Sequence, residues 1–325
     1  MTAGADSPIF LVGMPRSGTT VTFQALAAHE RVAWLSQLNA RAPRVTQLAL
    51  LSRLPALVPA LAKSGSPTDR RRRLRDQLTI GPSEAYEVWE RCCGRKFLFD
   101  YLLGVEANDR ERACVRGVVR DVLRYGGGER FIAKLTGPAR IGYLTSIFPK
   151  ARFVHVIRDG RAVARSLMGV AFWREGSRMT SPAWEGGLAQ DRLQDWSSAG
   201  SSPLALAAIQ WDAVIRTARE EAAAHAPKRY AEIRYEDFVS EPRTVIDEIT
   251  RFAELPTSAR MHRFLDQRAA LRDMNYRWRE ELGPDDLLIL DELIGSRLTE
   301  LGYQPGGEVG DAWPLHAPFM SGAAA

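Results

Sequence analysis

The feature that most restricts this chain is an apolar run that ends in a glycine-rich turn near the start of the sequence. Ile9-Phe10-Leu11-Val12 is continuous rather than alternating, as a strand must be when both faces of a parallel sheet are covered. Gly13-Met14-Pro15-Arg16-Ser17-Gly18 follows at once, then a helical stretch from about Thr19 to Ala28. Strand, glycine turn and helix in that order aim backbone N–H groups and a helix N-terminus at one point. Such a point binds an anion whatever the side chains are.

Further strands are expected at Phe131-Ile132-Ala133, at Phe153 to Ile157 and, with a more mixed pattern, at Tyr230 to Tyr235. Helical patterns at Arg140 to Phe148, Gly160 to Met168, Leu204 to Ala224 and Val245 to Phe252 separate them. This alternation predicts an α/β fold with a central parallel sheet flanked by helices. From about Ala40 to Arg124 the chain reads as a helical insertion without a clear strand. Within it Thr68-Asp69 offers a cap for a helix carrying Arg70 to Arg73, an anion patch or, more simply, a solvated face. Residues Arg174 to Ser202 read as a long irregular loop of the lid type, and residues 304–325 as a frayed tail. No repeat or linker divides the chain, so residues 1–325 are expected to form a single domain.

Composition sets bounds without naming a ligand. With 45% hydrophobic and 26% charged residues, a disordered tail, a collagen-like chain and a coiled coil are excluded. The formal charge of +5 is a mild excess that does not call for nucleic acid. Five of the 44 basic residues are lysine and the rest arginine, which fits either an arginine-rich composition at large or a site for phosphate- or sulfate-like groups. Cys92, Cys93 and Cys114 form neither a disulfide framework nor a zinc site, and are expected as idle thiols in a reducing compartment. Met1 to Ser7 is not a signal peptide, and no apolar run approaches the ~20 residues of a membrane span, so a cytoplasmic protein is expected.

The glycines at 13 and 18 have the spacing of a Walker A loop, G-x-x-x-x-G-K-[ST], but Thr19 stands where that loop has its lysine. The lysine reaches β- and γ-phosphates. Without it, and with Arg16 inside the loop, a single 5′-phosphate group without a triphosphate is the expected guest. A second anion site is signalled by Arg158-Asp159-Gly160-Arg161 after the strand Phe153 to Ile157. Arg158 leaves the C-terminal end of that strand, where ligands bind in open α/β sheets. Ser166, eight residues on, can share a helix face with it. Asp159 also permits a Walker B reading as a Mg²⁺ ligand, which the intruding Arg158 weakens. Two anion sites at two strand ends suggest a ligand with two separated phosphate-type groups.

These residues resemble a known family. Gly13 to Thr20 is similar to the 5′-phosphosulfate loop of sulfotransferases, and Arg158 to Arg161 with Ser166 to their 3′-phosphate motif. Ile233-Arg234-Tyr235-Glu236-Asp237 resembles the family's strand and turn near the adenine, and Asn275-Tyr276-Arg277-Trp278 its loop over the 3′-phosphate. The resemblance runs from about Pro8 to Tyr303 and is closest to soluble bacterial sulfotransferases and Golgi carbohydrate sulfotransferase domains. It implies a P-loop NTPase-like fold and in-line sulfuryl transfer from 3′-phosphoadenosine 5′-phosphosulfate (PAPS), leaving PAP. The acceptor would be a hydroxyl or amine of a small molecule, glycan or lipid, with no metal and no nucleic acid.

The resemblance also implies roles. Arg16, Ser17, Gly18, Thr19 and Thr20 would hold the 5′-phosphosulfate; Arg158, Ser166 and Arg277 the 3′-phosphate; Tyr235 would meet the adenine or serve in the core. Lys134, past the apolar run at Phe131, would join Arg16 as a second cation on the transferring group. Cytosolic members carry a catalytic histidine two residues after this lysine; here it is Thr136. Many relatives place a basic glutamate after the first helix, where this chain has Gln37, so Glu84 is the preferred general base, with a surface or capping carboxylate as the alternative. His29 reads as an exposed helix end and His155 as a core histidine. Phe172, Trp173, Trp184 and Trp196 would shape the acceptor site or pack beneath the lid. Two other functions stay open: a P-loop kinase or NTPase, and a nucleotide-binding relative that has lost its base.

Overall fold

Strand β1 (Ile9–Gly13) is buried along its whole length because it lies mid-sheet. It pairs in parallel with β3 (Arg130–Thr136) on one side and β4 (Arg152–Ile157) on the other. β2 (Val32–Trp34) and β5 (Tyr230–Arg234) extend the two edges, giving the order β2-β3-β1-β4-β5, parallel throughout. The fold is thus a central parallel sheet flanked by helices, and among the described strands the one the sequence missed is β2, whose three residues are too short for a periodic signal. The computed structural model describes residues 3–53, 81–174, 180–267 and 274–304. The expected helix at Thr68 to Arg73, the tail from residue 305 and the side chain of Phe172 lie outside the described residues.

Alternate residues of β1 serve two separate layers, as the period of two in a strand requires. Phe10 and Val12 join Phe131 and Phe153 under α4 (Asp109–Gly126) and α5 (Ile141–Ile147). Ile9 and Leu11 pack with Phe23 and Leu26 of α1 (Thr19–Ala27) and with Ile246 and Ile249. A third cluster holds α6 (Gly160–Met168) against Trp211 and Ile294. This three-way anchoring fixes the ends of β1, β3 and β4 relative to one another, and those ends carry the site. No helix of the described residues is long and apolar enough to cross a membrane.

Three expectations need correction. Cys92, at the end of α3 (Tyr86–Cys93), forms a disulfide with Cys114 of α4, while Cys93 is free and buried. The two helices pack side by side, so residues 22 apart in sequence have Cα atoms 5.4 Å apart, a proximity invisible to cysteine spacing. The segment from Arg174 to Ser202 is not wholly irregular, since it contains the helix Gln190–Ser198. His29 is not exposed: it lies beyond the end of α1, 2% accessible, with Nε2 2.8 Å from the Pro256 carbonyl.

Candidate functional site

The loop after β1 is shaped for close approach. Gly18 has φ 85°, and a Cβ there would lie 2.3 Å from the Tyr235 ring. Only glycine combines that backbone with that contact. Arg16 also adopts a left-handed conformation, at φ 76°, a strain of the kind concentrated at functional sites. Gly18 caps α1 without a side-chain hydrogen bond, so the first-turn N–H groups stay available to a ligand. The Ser17 hydroxyl is buried without a partner among the described residues. A buried hydroxyl and uncapped N–H groups at one helix end fit a phosphate-type guest.

The second cationic centre closes onto this loop. Arg158 donates from Nη1 to the Arg16 carbonyl at 2.8 Å and from Nε to Asn275 Oδ1 at 2.8 Å. Its guanidinium lies 4.5 Å from the centroid of the Tyr235 ring. Arg16 in turn donates from Nε to Ser166 Oγ at 3.0 Å. The ends of β1, β4 and β5 thereby bring Arg16, Arg158, Ser166 and Tyr235 together. Burial first, and then the Arg158 charge, lower the pKa of Arg16. Arg277 is exposed on the helix Tyr276–Glu281, which packs on α6, and its charge reaches Arg165 there.

Sequence reading missed the support for Arg158. Asn275 donates from Nδ2 to Glu236 Oε1 at 2.5 Å, and Glu236 also accepts from Asp159 N at 3.2 Å and from the Tyr303 hydroxyl at 3.0 Å. Burial pushes the Glu236 carboxyl up to about 7. Both residues fall inside the stretches that resemble family motifs, but only the fold reveals that they form a chain ending on Arg158. Asp159 caps α6 and is gripped by Arg161, from Nε at 3.0 Å and Nη2 at 2.9 Å, so its carboxylate is already engaged.

A further cluster lies at the ends of β2 and β3. Lys134, 11% exposed in its side chain, donates to Thr20 Oγ1 at 2.9 Å and sits 3.5 Å from Glu84 Oε1. Thr136 donates from Oγ1 to Glu84 Oε1 at 2.7 Å. Tyr86 clamps the same threonine, donating to its carbonyl and accepting from its N–H, each at 2.8 Å. Burial, then the Glu84 charge, push the Tyr86 phenol up to about 12. Glu84 reaches this place because residues 81–83 run beside the end of β2. Ser83 N–H bonds to Leu35 O at 2.8 Å and Gln37 N–H to Gly81 O at 3.2 Å. Ala85, at φ 47°, then turns the chain into α3. Glu84 and Gln37 therefore occupy adjoining segments at one strand end.

Neither histidine candidate joins this cluster. Burial lowers His155 to about 4, and its Nδ1 pairs with Tyr230 Oη at 2.7 Å in the core. Of the tryptophans, Trp173 is fully buried and Trp196 donates to Ser202 O at 2.9 Å. Trp184 lies against Gly137, where a Cβ would be 2.4 Å from its ring, just beyond Thr136. Among the described residues no group of His, Cys, Asp or Glu could hold a metal ion.

An anion loop after the first strand, a second cationic centre at the next strand end and a lysine–carboxylate pair beside them define a group-transfer protein of the P-loop fold. The chain belongs to the sulfotransferase family, whose family model, described as "Sulfotransferase family", matches residues 8–259. Its reaction is sulfuryl transfer, and kinase or NTPase chemistry is not favoured. Sulfotransferase STF9 from Mycobacterium avium is similar in structure, with 19% identity and a TM-score of 0.59 over 94% of this chain and 79% of that one. Sulfotransferase STF1 from Mycobacterium tuberculosis H37Rv has 15% identity and a TM-score of 0.51 over 89% and 76%. Mouse sulfotransferase SULT7A1, solved in complex with PAP, has 11% identity and a TM-score of 0.43 over 90% and 84%. The two Mycobacterium likenesses bear on the fold alone. A comparison with curated proteins gives no match.

Proposed function

We propose that the chain is a PAPS-dependent sulfotransferase, working as one unit on a hydroxyl or amine of a small-molecule, glycan or lipid acceptor. The observation that carries this reading is the Lys134–Glu84 pair at 3.5 Å, joined through Thr20 to the anion loop. The donor would supply a sulfuryl group on a phosphate leaving group. The loop N–H groups, with Ser17, Gly18, Thr19 and Thr20, hold its 5′ end, and Arg158, Ser166 and Arg277 its 3′-phosphate. Tyr235 lies under Arg158, where it can meet the adenine edge or serve as packing. Arg16 and Lys134 steady charge on the leaving oxygens, the dominant task in transfers of this type.

Glu84 is the acceptor's base. Its Oε1 is held by Thr136 and Lys134, and Oε2 has no partner among the described residues, so Oε2 takes the proton. The contacts with Lys134 and Thr136 fix the direction of the carboxylate. Trp184 supplies an aromatic face against Gly137, the residue after Thr136. The proposal includes the cytoplasm as compartment.

Transfer of ³⁵S-sulfate from labelled PAPS to a panel of alcohols, sugars and amines tests the reading. Labelled product from wild type, and product formed about a hundredfold more slowly by Lys134→Ala, supports it. Tight nucleotide binding without transfer to any acceptor would instead favour the non-catalytic relative.

A further inference from the structure

A second concentration of positive charge lies at the opposite end of the sheet. There a groove of about 730 Å³ opens where the strands begin. Arg31 precedes β2, Arg130 opens β3, Lys150 and Arg152 lie at the start of β4, and Arg229 precedes β5. Parallel strands all start at one end, so the topology gathers five cations from separate segments; no local charge run foretells it. Glu129 and Glu254 are the carboxylates of the lining, which leaves an excess of three positive charges.

The partners of these cations orient them more than they neutralise them. Arg31 bonds to Glu129 at 3.3 Å and Arg152 pairs with Glu254. Arg130 shares the same Glu254, at 4.0 Å, and donates to the Ser7 carbonyl at 3.0 Å. Arg229 donates to the carbonyls of Ala151 at 3.0 Å and His225 at 2.8 Å. A carbonyl fixes a guanidinium without cancelling its charge. Like charges accordingly act on each other: burial first, and then the Arg152 charge, lower the pKa of Arg229. Arg130 is lowered by burial in the same way, with Glu254 raising it and Arg152 opposing. An anion in the groove relieves this repulsion, and arginine forks offer it paired donors.

We propose that this groove is a binding site for a small anion carrying two or more phosphate or sulfate groups, separate from the donor site at the other end of the sheet. Its volume is that of a small-ligand site. Its charge excess matches a multivalent anion better than a single phosphate.

The test is calorimetric titration with inorganic tripolyphosphate. The proteins are wild type, Arg16→Ala, and the double variant Arg31→Glu with Lys150→Glu, which changes two exposed side chains and is checked by circular dichroism and melting temperature. Arg31→Ala and Lys150→Ala as single variants serve if the double variant is unstable. The groove site should persist in Arg16→Ala and weaken at least about tenfold in the double variant, the loss shrinking in high salt. Adenosine 3′,5′-bisphosphate and sucrose octasulfate, titrated separately into Arg16→Ala, identify whether a nucleotide or a sulfated saccharide is the preferred source. Binding by tripolyphosphate that is equal in the double variant and wild type, or absent from both, overturns the proposal.

Discussion

Replacing Glu84 by glutamine separates the base from its surroundings. The amide keeps the shape and can still accept from Thr136 Oγ1, now 2.7 Å away, but it cannot take a proton and no longer pairs with Lys134. A positioned general base contributes about 10²–10⁴ in rate, or about 3–5 kcal/mol of barrier. The Glu84 and Lys134 side chains are 28% and 11% exposed, so solvent screening holds the ion pair's share of stability to about 1 kcal/mol. The two magnitudes differ enough to be told apart. Turnover, measured with an acceptor that wild type sulfates, should fall at least about 100-fold. The melting temperature should move by only a few degrees, about 2–4 °C in a chain of this size. Affinity for adenosine 3′,5′-bisphosphate should be unchanged or slightly higher, because a negative charge beside Lys134 has gone. Turnover close to that of wild type, or a loss explained wholly by weaker nucleotide binding, would refute the assignment.

Lys134→Ala removes the cation that joins Thr20 to Glu84, and single-turnover rates should fall by about 10²-fold with less effect on bisphosphate affinity. Gly18→Ala forces a Cβ to 2.3 Å from the Tyr235 ring at a left-handed backbone; melting should show a loss of about 1–3 kcal/mol, and bisphosphate should no longer raise the melting temperature. Glu236 has a folded pKa of about 7 against an ordinary 4.5, so the native state holds its proton more tightly than the unfolded chain. Its contribution is fully present below pH 4.5 and is lost as pH rises through about 7. Melts from pH 4.5 to 8 should therefore show wild type losing stability relative to Glu236→Gln as pH rises, and a constant difference would contradict the shift.

The sheet and the anion loop were legible because they rest on local chemistry. A continuous apolar run followed by two glycines five apart has few other solutions. Arg158 and Ser166 were legible for the same reason, being one strand end and one helix face. What escaped depends on contacts distant in sequence. β2 gains its identity from pairing with Arg130 to Ile132, not from its own three residues. Cys92 and Cys114 meet because α3 and α4 pack, and His29 is covered by the chain at Pro256. The Glu236–Asn275–Arg158 chain joins three segments up to 117 residues apart. Glu84 was singled out because Gln37 stands where many relatives have a glutamate, but its nearness to Gln37 was not legible, since residues 81–83 lie along the end of β2 only through backbone bonds to Leu35 and Gln37.

The most direct test of the account is calorimetric titration of adenosine 3′,5′-bisphosphate into wild type and Arg158→Ala. Arg158 holds both the Arg16 carbonyl and Asn275 at 2.8 Å through Nη1 and Nε, so Nη2 is not used by these bonds. Loss of charge-assisted hydrogen bonds to a phosphate costs about 1.5–3 kcal/mol. The account predicts saturable binding to wild type that weakens by about 10- to 150-fold in Arg158→Ala while the fold is kept. Folded wild-type protein that does not bind the bisphosphate, or an Arg158→Ala variant that binds it equally well, would contradict it.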